Sequence, residues 1–420
     1  MNNNLCVIKL VGEKDYAIVT PGRIVFALDA SDKEFKEVIS EEEKIQNNFE
    51  LEEDDPFESV SIIPTMNCNL ACIYCYARGG EVKKILPLES AKNVIRDIRS
   101  RSQRSDLHLH LVGGGEPLLD LNYVSRLVDF SETLFDEVYV YVVTNGAFDD
   151  NTLKWLVNKG VNVRLSYDGV MQDIQRPFRD GSRSSALVES NIRKLVQRGV
   201  DPITQCLLTQ RGLKHTFDSI DLLLSLGVKT IKIEPVLTNE ISRGSIKLEP
   251  DPKEFATTLM EAIEYVALNS TKYPGIKLDT GFFGKPTSGY YCGMSRQNVT
   301  VTPYETVTSC VEIVRLEDPF AEKVIFGNLT KDGIKVNQEK REWLSNVHFS
   351  NYAGGCPSCK YRLICAGGCP IHNIWRGGLP IRKSEFTCKV EHTLLPNLLT
   401  SMAEDAKIRS VVLDNTTEIC

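Results

Sequence analysis

The chain has 420 residues, of which 42% are hydrophobic and 25% charged, and its formal net charge is −7 at pH 7. This length exceeds one ordinary hydrophobic core and predicts two or three domains of a soluble globular protein, while the acidic balance argues against a nucleic-acid binder. The sequence shows no apolar run long enough to span a bilayer and no signal peptide, so we expect a cytoplasmic protein with no membrane partner.

The first 57 residues predict a small N-terminal domain. Residues 1–40 alternate apolar and polar positions in VIKLV and YAIVTPGRIVFAL, with Pro21-Gly22 as a turn, which predicts a β element. Residues 41–56 are acidic and end in a proline, which is typical of a solvated helix or linker, although presentation of a basic peptide is an alternative. Such a β element could engage a peptide by adding a strand to its sheet.

Residues 58–240 alternate apolar strand patterns with amphipathic helix patterns. The strand patterns are SVSIIPT from residue 59, then residues 108–112, 138–144, 161–167, 202–209 and 230–236, and helices are predicted near 120–133, 150–158, 184–198 and 213–226. This alternation predicts an α/β fold with a parallel sheet, either a partial (β/α)6 TIM-like barrel or an open sheet. Chemistry in such folds collects at the C-terminal ends of the strands. A bridging helical segment is expected over residues 241–290, and a further domain over residues 291–420.

The loop after the first strand carries three cysteines, Cys68, Cys72 and Cys75, in a C-x3-C-x2-C spacing. Thirteen cysteines in a cytoplasmic chain are typical of metal ligands or catalytic thiols rather than disulfides. Three thiolates on one loop can hold three corners of a [4Fe–4S] cluster and leave the fourth iron open. A zinc site is the alternative, but it requires four ligands and no fourth Cys or His follows closely.

The cysteine loop and the run Gly113-Gly114-Gly115-Glu116-Pro117 after the second strand together resemble the radical S-adenosylmethionine (radical SAM) family over residues 58–240. The resemblance implies that S-adenosyl-L-methionine binds the open iron, with Gly114, Gly115 and Glu116 near its methionyl amine. It also implies contacts to the ribose or carboxylate from Asn145, Ser166 and Asp168. Arg176 or Arg179 would pair with the carboxylate, and Glu234 lies near the expected adenine site. A flavodoxin or ferredoxin would supply electrons.

A second concentration of cysteines lies near the C-terminus: Cys292, Cys310, Cys356, Cys359, Cys365, Cys369 and Cys388. Seven ligands do not divide into zinc sites of four. The array resembles the SPASM domain, which binds two auxiliary [4Fe–4S] clusters, so three clusters are implied in total. By this resemblance one auxiliary cluster is held by Cys356, Cys359, Cys365 and Cys388. The other is held by Cys292, Cys310 and Cys369, with a fourth ligand from Cys6, Cys206, Cys420, a non-Cys side chain, water or a substrate thiolate.

Two positions depart from the family pattern. Glu305 replaces a frequent glycine five residues before Cys310, which puts the local loop shape in doubt. Sulfatase-maturing relatives carry an Asp base directly after the second array cysteine, whereas here Val311 follows Cys310 and Glu312 comes next. On a strand, Glu312 would point to the opposite face. No catalytic residue is therefore assigned, and Cys420 and Glu312 are the candidates.

SPASM enzymes mostly modify ribosomally made peptides or proteins, so the resemblance implies a leader-bearing peptide substrate. The expected outcome is a thioether or carbon–carbon cross-link, an epimerisation or an oxidation. The alternatives are a radical dehydrogenase or mutase acting on a small molecule, an anaerobic sulfatase-type maturase, and a non-catalytic electron-transfer protein.

Overall fold

The computed structural model describes residues 5–11, 14–47, 59–283, 289–295, 298–412 and 417–419. The N-terminal segment contains three strands and one helix: β1 (Cys6–Lys9), β2 (Tyr16–Thr20), β3 (Arg23–Ala27) and α1 (Asp32–Asn47). The strands pair as an antiparallel meander, with Cys6 opposite Val19 and Ile18 opposite Val25. The remainder of the acidic stretch, residues 48–56, lies outside the described residues.

The central part of the chain alternates strands and helices. Its elements are β4 (Ser59–Ile62), α2 (Leu88–Arg101), β5 (Asp106–Leu111), α3 (Leu121–Glu132), β6 (Glu137–Thr144), α4 (Asp150–Asn158), β7 (Asn162–Ser166), α5 (Gln172–Gln175), α6 (Ser185–Gln197), β8 (Ile203–Leu208), α7 (Thr216–Ser225), β9 (Thr230–Pro235), α8 (Pro252–Asn269) and β10 (Lys277–Thr280). All six predicted strands and the four predicted helices are confirmed to within a few residues. Strand β10 was not predicted.

Strands β4 to β10 are parallel and lie side by side in chain order. Their side chains alternate between two environments, as in β5, where Leu107, Leu109 and Leu111 are fully buried under the helices. The intervening side chains, including His108 and His110, are only half-buried and face the concave side of the sheet. The sheet therefore forms an open partial barrel with an apolar outer layer and a largely polar inner face.

The C-terminal part begins with β11 (Thr300–Val301), which extends the same sheet by pairing in parallel with β4. The elements that follow are β12 (Thr306–Thr308), α9 (Ala321–Val324), β13 (Ile325–Thr330), β14 (Gly333–Val336), α10 (Gln338–Ser345), α11 (Arg362–Cys365), α12 (Pro370–Gly377), α13 (Glu385–Glu404), α14 (Ala406–Val412) and β15 (Thr417–Ile419). Strands β12 to β14 form an antiparallel meander at the edge of the sheet. The sheet thus continues without interruption from the barrel into the cysteine-rich region.

The last strand returns to the N-terminal segment. β15 pairs in parallel with β3, so that Thr417 lies opposite Ile24, and the four strands have the order β1-β2-β3-β15. The two ends of the chain therefore share one small sheet. Among the described residues, none of the helices is long and apolar enough to cross a bilayer.

Candidate functional site

The first three cysteines lie on the loop between β4 and α2, at the C-terminal edge of the parallel sheet. Backbone hydrogen bonds tie this loop to the segment after β7, from Ala71 N to Pro177 O at 2.8 Å and from Ile73 N to Gln175 O at 2.9 Å. These bonds fix the position of the loop over the open end of the barrel.

Arg243, in the segment after β9, fastens the loop from the other side. Its Nη1 donates to the Cys72 carbonyl at 2.9 Å and its Nη2 to the Gly79 carbonyl at 3.1 Å, while its own N–H donates to Cys75 O at 3.0 Å. Arg243 is not among the site residues predicted from the sequence. Its position in the sequence, shortly after the end of strand β9, could have indicated a role at the C-terminal edge of the sheet, where the cysteines also lie.

The thiols of the loop are surrounded by hydrogen-bond donors. Asn145 Nδ2 lies 3.8 Å from Cys68 Sγ, Arg176 Nη1 lies 3.8 Å from Cys72 Sγ, and Gly79 N lies 3.4 Å from Cys75 Sγ. Burial raises the pKa of Cys68 to about 12, and Glu116 acts in the same direction. Burial also raises the pKa of Cys72 to about 11, opposed by Arg176. Half-buried thiols with hydrogen-bond donors near the sulfur suit thiolate ligands whose charge is balanced by bound iron.

The glycine run packs directly on the cysteine loop. Gly115 N donates to Thr65 O at 2.8 Å and Glu116 N to Asn67 O at 2.7 Å. A Cβ built on Gly115 would lie 2.0 Å from the Asn67 carbonyl oxygen, and one on Gly79 would lie 2.6 Å from Gly114 O. Glycine is needed here because two backbone segments touch.

Glu116 has a structural role that the sequence did not reveal. Its carboxylate is buried and accepts hydrogen bonds from Thr144 Oγ1 at 2.8 Å, from Asn145 N at 2.7 Å and from Leu118 N at 3.1 Å. Burial raises its pKa to about 7, and these three hydrogen bonds oppose that shift. Glu116 therefore joins the end of β6 to the glycine run and places Asn145 beside Cys68.

Asp168 and Arg176 form a buried ion pair under the loop. Arg176 Nε lies 3.1 Å from Asp168 Oδ2, and Asp168 Oδ1 accepts from Leu207 N at 3.0 Å. Tyr74, the aromatic residue before Cys75, donates to Asp168 and lies under the Arg176 guanidinium, 5.3 Å from ring centroid to Cζ. The guanidinium thus contacts the thiol of Cys72 on one side and a carboxylate on the other. Arg179 is instead exposed and donates to Gly79 O at 3.2 Å.

Ser166 and Glu234 face the concave side of the sheet from the ends of β7 and β9, and both are half-buried. Glu234 accepts a hydrogen bond from Gln205 and lies 3.4 Å from Lys232 Nζ. A Cβ on Gly281 would lie 2.7 Å from Glu234 Oε1. The predicted contacts thus lie on the same inner surface, below the glycine run and the cysteine loop.

The four cysteines assigned to one auxiliary cluster are neighbours. Burial raises the pKa of Cys356, and the thiolates of Cys359 and Cys388 add to the shift. Lys383 Nζ lies 3.1 Å from Cys365 Sγ and 3.7 Å from Glu391 Oε2, and it is almost fully buried. An ammonium group inside a cluster of thiolates stabilises their ionised, metal-binding forms.

Cys292, Cys310 and Cys369 form a separate group with two further side chains. Burial raises the pKa of Cys310, and the negative charges of Glu312, Cys369 and Cys292 add to this effect. The residues after Cys310 form a turn closed by Ile313 N and Cys310 O at 3.2 Å, since β12 ends at Thr308. The expectation that Glu312 lies on a strand and points to the face opposite to position 311 is therefore wrong. The turn brings Glu312 back beside the thiols.

His372, one helical turn after Cys369, completes this group. Its Nε2 lies 3.1 Å from Glu312 Oε2. Burial opposes protonation of His372, but the charges of Cys369 and Glu312 raise its pKa above the ordinary value. In the described part of the chain, no three Cys, His, Asp or Glu residues lie close enough to hold one metal ion. In a cubane cluster, by contrast, each cysteine binds its own iron.

Two of the three remaining cysteines lie away from this group. Cys6 is buried on β1, where Arg362 and Cys359 are its charged neighbours. Cys206 is buried on β8 beside Asp168 and Arg176. Cys420 lies outside the described residues. The structure thus places Glu312 and His372, rather than Cys6 or Cys206, at the group with three cysteines.

Tyr76 connects the first cysteine loop with the C-terminal group. Its hydroxyl donates to Val311 O at 3.4 Å, in the turn that carries Glu312. A Cβ on Gly113 would lie 2.5 Å from the Tyr76 hydroxyl oxygen. One phenol therefore contacts both the glycine run and the Cys310 turn, and it follows Cys75 directly in the chain.

Comparison with known proteins gives consistent matches. Residues 62–237 match the Radical SAM superfamily. The mycofactocin maturase MftC of Mycolicibacterium smegmatis is 23% identical over 340 residues, which cover 77% of this chain and 80% of that protein. The solved structure of anSMEcpe with bound AdoMet and Kp18Cys peptide superposes with a TM-score of 0.68 at 19% identity, covering 83% of this chain and 99% of that one. Streptococcus suis SuiB bound to precursor peptide SuiA gives a TM-score of 0.55 at 12% identity, covering 92% and 99%.

Residues 62–237 are therefore a radical SAM domain. The chain is an enzyme that carries this domain, and S-adenosyl-L-methionine and a [4Fe–4S] cluster are the cofactors of the family that the domain matches. The residues fit that group, since the half-buried loop thiols have hydrogen-bond donors beside them and the neighbouring backbone leaves no room for side chains at the glycine positions.

Proposed function

We propose that this enzyme modifies a ribosomally made peptide or protein. The observation that carries the proposal is the second cysteine array, whose Cys310 turn contacts the first cluster loop through Tyr76. Two features of the comparisons support it: MftC is named a maturase, and SuiB was solved with a precursor peptide. A sulfatase-type maturase ranks lower because Val311 stands where those enzymes have an Asp base.

When bound, the cluster and S-adenosyl-L-methionine supply a 5′-deoxyadenosyl radical that removes a hydrogen atom from the substrate. The residues of this chain bind and orient the cluster and the cofactor. The Cys68 loop binds the cluster, the glycine run offers backbone groups to the methionyl amine, and Asn145 is fixed next to Cys68 by Glu116. The polar inner face at Ser166 and Glu234 is available for the nucleoside.

The proposed complement is three [4Fe–4S] clusters. Cys68, Cys72 and Cys75 hold the first. The closely spaced group Cys356, Cys359, Cys365 and Cys388 holds the second, and Cys292, Cys310 and Cys369 hold the third. Two separate auxiliary sites are supported by the charges that act on each thiol. The pKa of Cys356 is raised by the charges of Cys359 and Cys388, whereas the pKa of Cys310 is raised by those of Cys369 and Cys292.

The proposed partners are a leader-bearing peptide and a flavodoxin or ferredoxin. The small sheet at the N-terminus supports the first, because an extended peptide can add a strand to a sheet edge. The edge of β3 is taken by β15, so β1 is the outer strand on the other side. Substituting Val7 in β1 by proline should weaken leader binding without changing S-adenosylmethionine cleavage.

The test is anaerobic incubation of the reconstituted enzyme with dithionite, S-adenosylmethionine and the short peptide encoded beside its gene, followed by mass spectrometry. Loss of a pair of hydrogens from the peptide indicates cross-linking or oxidation, and uptake of deuterium from heavy water indicates epimerisation. The chain with Cys72→Ala is the inactive control. If S-adenosylmethionine is cleaved but the peptide is unchanged, the proposal of a peptide substrate is wrong. If S-adenosylmethionine is not cleaved at all, the proposal of radical SAM activity is wrong.

A further inference from the structure

We propose that Glu312 is the fourth protein ligand of the cluster held by Cys292, Cys310 and Cys369. The inference rests on the proposed function, because it assumes that this auxiliary cluster is present. Cysteines that could have filled the position lie elsewhere: Cys6 is beside Cys359, and Cys206 is under the first cluster loop.

The backbone turn after Cys310 places Glu312 near the three cysteines of this group. Ile313 N donates to Cys310 O at 3.2 Å, which closes a turn immediately after the cysteine. The negative charge of the Glu312 carboxylate contributes to the raised pKa of both Cys310 and Cys292, which places it near these two thiols. Three cysteines and a carboxylate in one group can all be ionised only when a cation lies between them, because their negative charges repel. An iron–sulfur cluster provides that positive charge.

His372 places the carboxylate. Cys369 immediately precedes helix α12, and Asn373 N donates to its carbonyl at 3.0 Å. His372 follows one turn later on the same face, and its Nε2 lies 3.1 Å from Glu312 Oε2. Metal-binding carboxylates are commonly oriented by a hydrogen bond from a neighbouring side chain. This leaves Oε1 for iron, since within the described residues it makes no hydrogen bond with another side chain.

The consequence for the reaction is that the third cluster is closed by the protein. A substrate thiolate then reaches it only by displacing Glu312. Peptides without cysteine remain acceptable substrates in this arrangement. A carboxylate is a weaker donor to iron than a thiolate, so such a displacement is chemically reasonable.

Spectroscopy tests the ligand without turnover. In the full chain carrying Cys68→Ala, Cys72→Ala and Cys75→Ala, only the two auxiliary sites remain, and cyanide serves as a small probe for an open iron. We expect the electron paramagnetic resonance spectrum of the reduced parent to be unchanged by cyanide. Glu312→Ala should make the spectrum cyanide-sensitive. Glu317→Ala, on the exposed part of the same loop, is the matched control and should behave as the parent.

A second readout separates ligation from a merely structural role. Glu312→Cys replaces a carboxylate by a stronger thiolate donor, so the midpoint potential of this cluster should fall while its iron content is retained. His372→Phe should keep the iron but make the spectrum sensitive to cyanide under conditions in which the parent does not respond. A parent that already responds to cyanide, or an unchanged potential in Glu312→Cys, overturns the assignment. If the parent binds no iron at all, the failure lies in the proposed auxiliary clusters themselves.

Discussion

Arg176 Nε lies 3.1 Å from Asp168 Oδ2, and the side chains of both residues are almost completely buried. The resemblance to the family implied that both residues contact the bound cofactor. In the structure they pair with each other, and Gln175 Nε2 adds a hydrogen bond to Asp168 Oδ2 at 2.7 Å. The pair therefore supports the cysteine loop from below, with the guanidinium placed against Cys72.

The first prediction concerns this pair. Arg176→Met leaves the Asp168 carboxylate buried without its cation, and we expect the free energy of unfolding to fall by about 3–5 kcal/mol. Adding Asp168→Asn should recover part of that loss, because the unpaired charge is then gone. Chemical denaturation of the metal-free protein under reducing conditions measures both effects.

Arg183→Met is the control for the ion pair, since Arg183 is exposed, and it should change the unfolding free energy by only about 0.5 kcal/mol. An equally small effect of Arg176→Met would mean that the buried pair contributes nothing to stability.

The second prediction concerns the contact between the glycine run and the cysteine loop. A methyl group at position 115 would lie 2.0 Å from the carbonyl oxygen of Asn67, which is backbone and cannot rotate away. Gly115→Ala should therefore lower the unfolding free energy by about 1–3 kcal/mol and abolish binding of S-adenosylmethionine to the reconstituted enzyme. Equilibrium dialysis measures the binding.

Gly355→Ala is the matched substitution, because a Cβ there would meet no atom within 4 Å and the backbone is not left-handed. It should keep cofactor binding. Normal binding in Gly115→Ala would show that the two segments separate more readily than their hydrogen bonds suggest.

The third prediction concerns His110 on the inner face of the barrel. Burial lowers its pKa to about 4 from an ordinary 6.5, and the nearby charges of His108 and Arg164 act in the same direction. The unfolded chain therefore binds more protons than the folded chain below pH 6.5, so the folded state loses stability as pH falls towards 4. The full effect is on the order of 3 kcal/mol.

His110→Phe cannot titrate but keeps the stacking partner Tyr141, whose ring centroid lies 4.5 Å away. The stability of this variant relative to the wild type should rise as the pH is lowered through this range. Thermal denaturation at several pH values gives the comparison, with His215→Phe as a partly exposed control. Parallel curves for His110→Phe and the wild type would contradict the assignment of this pH dependence to His110.

The parallel sheet was predictable because its apolar positions alternate with the helices that cover them. In β5, for example, Leu107, Leu109 and Leu111 repeat with the period of a strand. β10 escaped prediction because Leu278 is the only apolar residue in Lys277–Thr280, so pairing with β9 rather than a hydrophobic run defines it.

The site was predictable to the level of its cysteines and less so for the side chains around them. The turn at Cys310 has no glycine or proline to mark it, so Glu312 looked like the continuation of a strand. Long-range contacts carry no local signal either. The Arg243 contacts to the cysteine loop join residues 171 positions apart in the chain, and only the folded barrel brings them together.

The last prediction separates ligand cysteines from buried ones. Cys206 lies inside the barrel wall next to Asp168, and Cys6 lies on β1 in the N-terminal sheet. Neither is expected to bind iron, so Cys206→Ala and Cys6→Ala should retain the full iron content after reconstitution. Cys369→Ala should lose iron, because this residue belongs to the group that includes Cys292 and Cys310. The iron content per chain of each variant distinguishes ligand cysteines from buried ones. A loss of iron in Cys206→Ala would place a ligand where the structure has an apolar core.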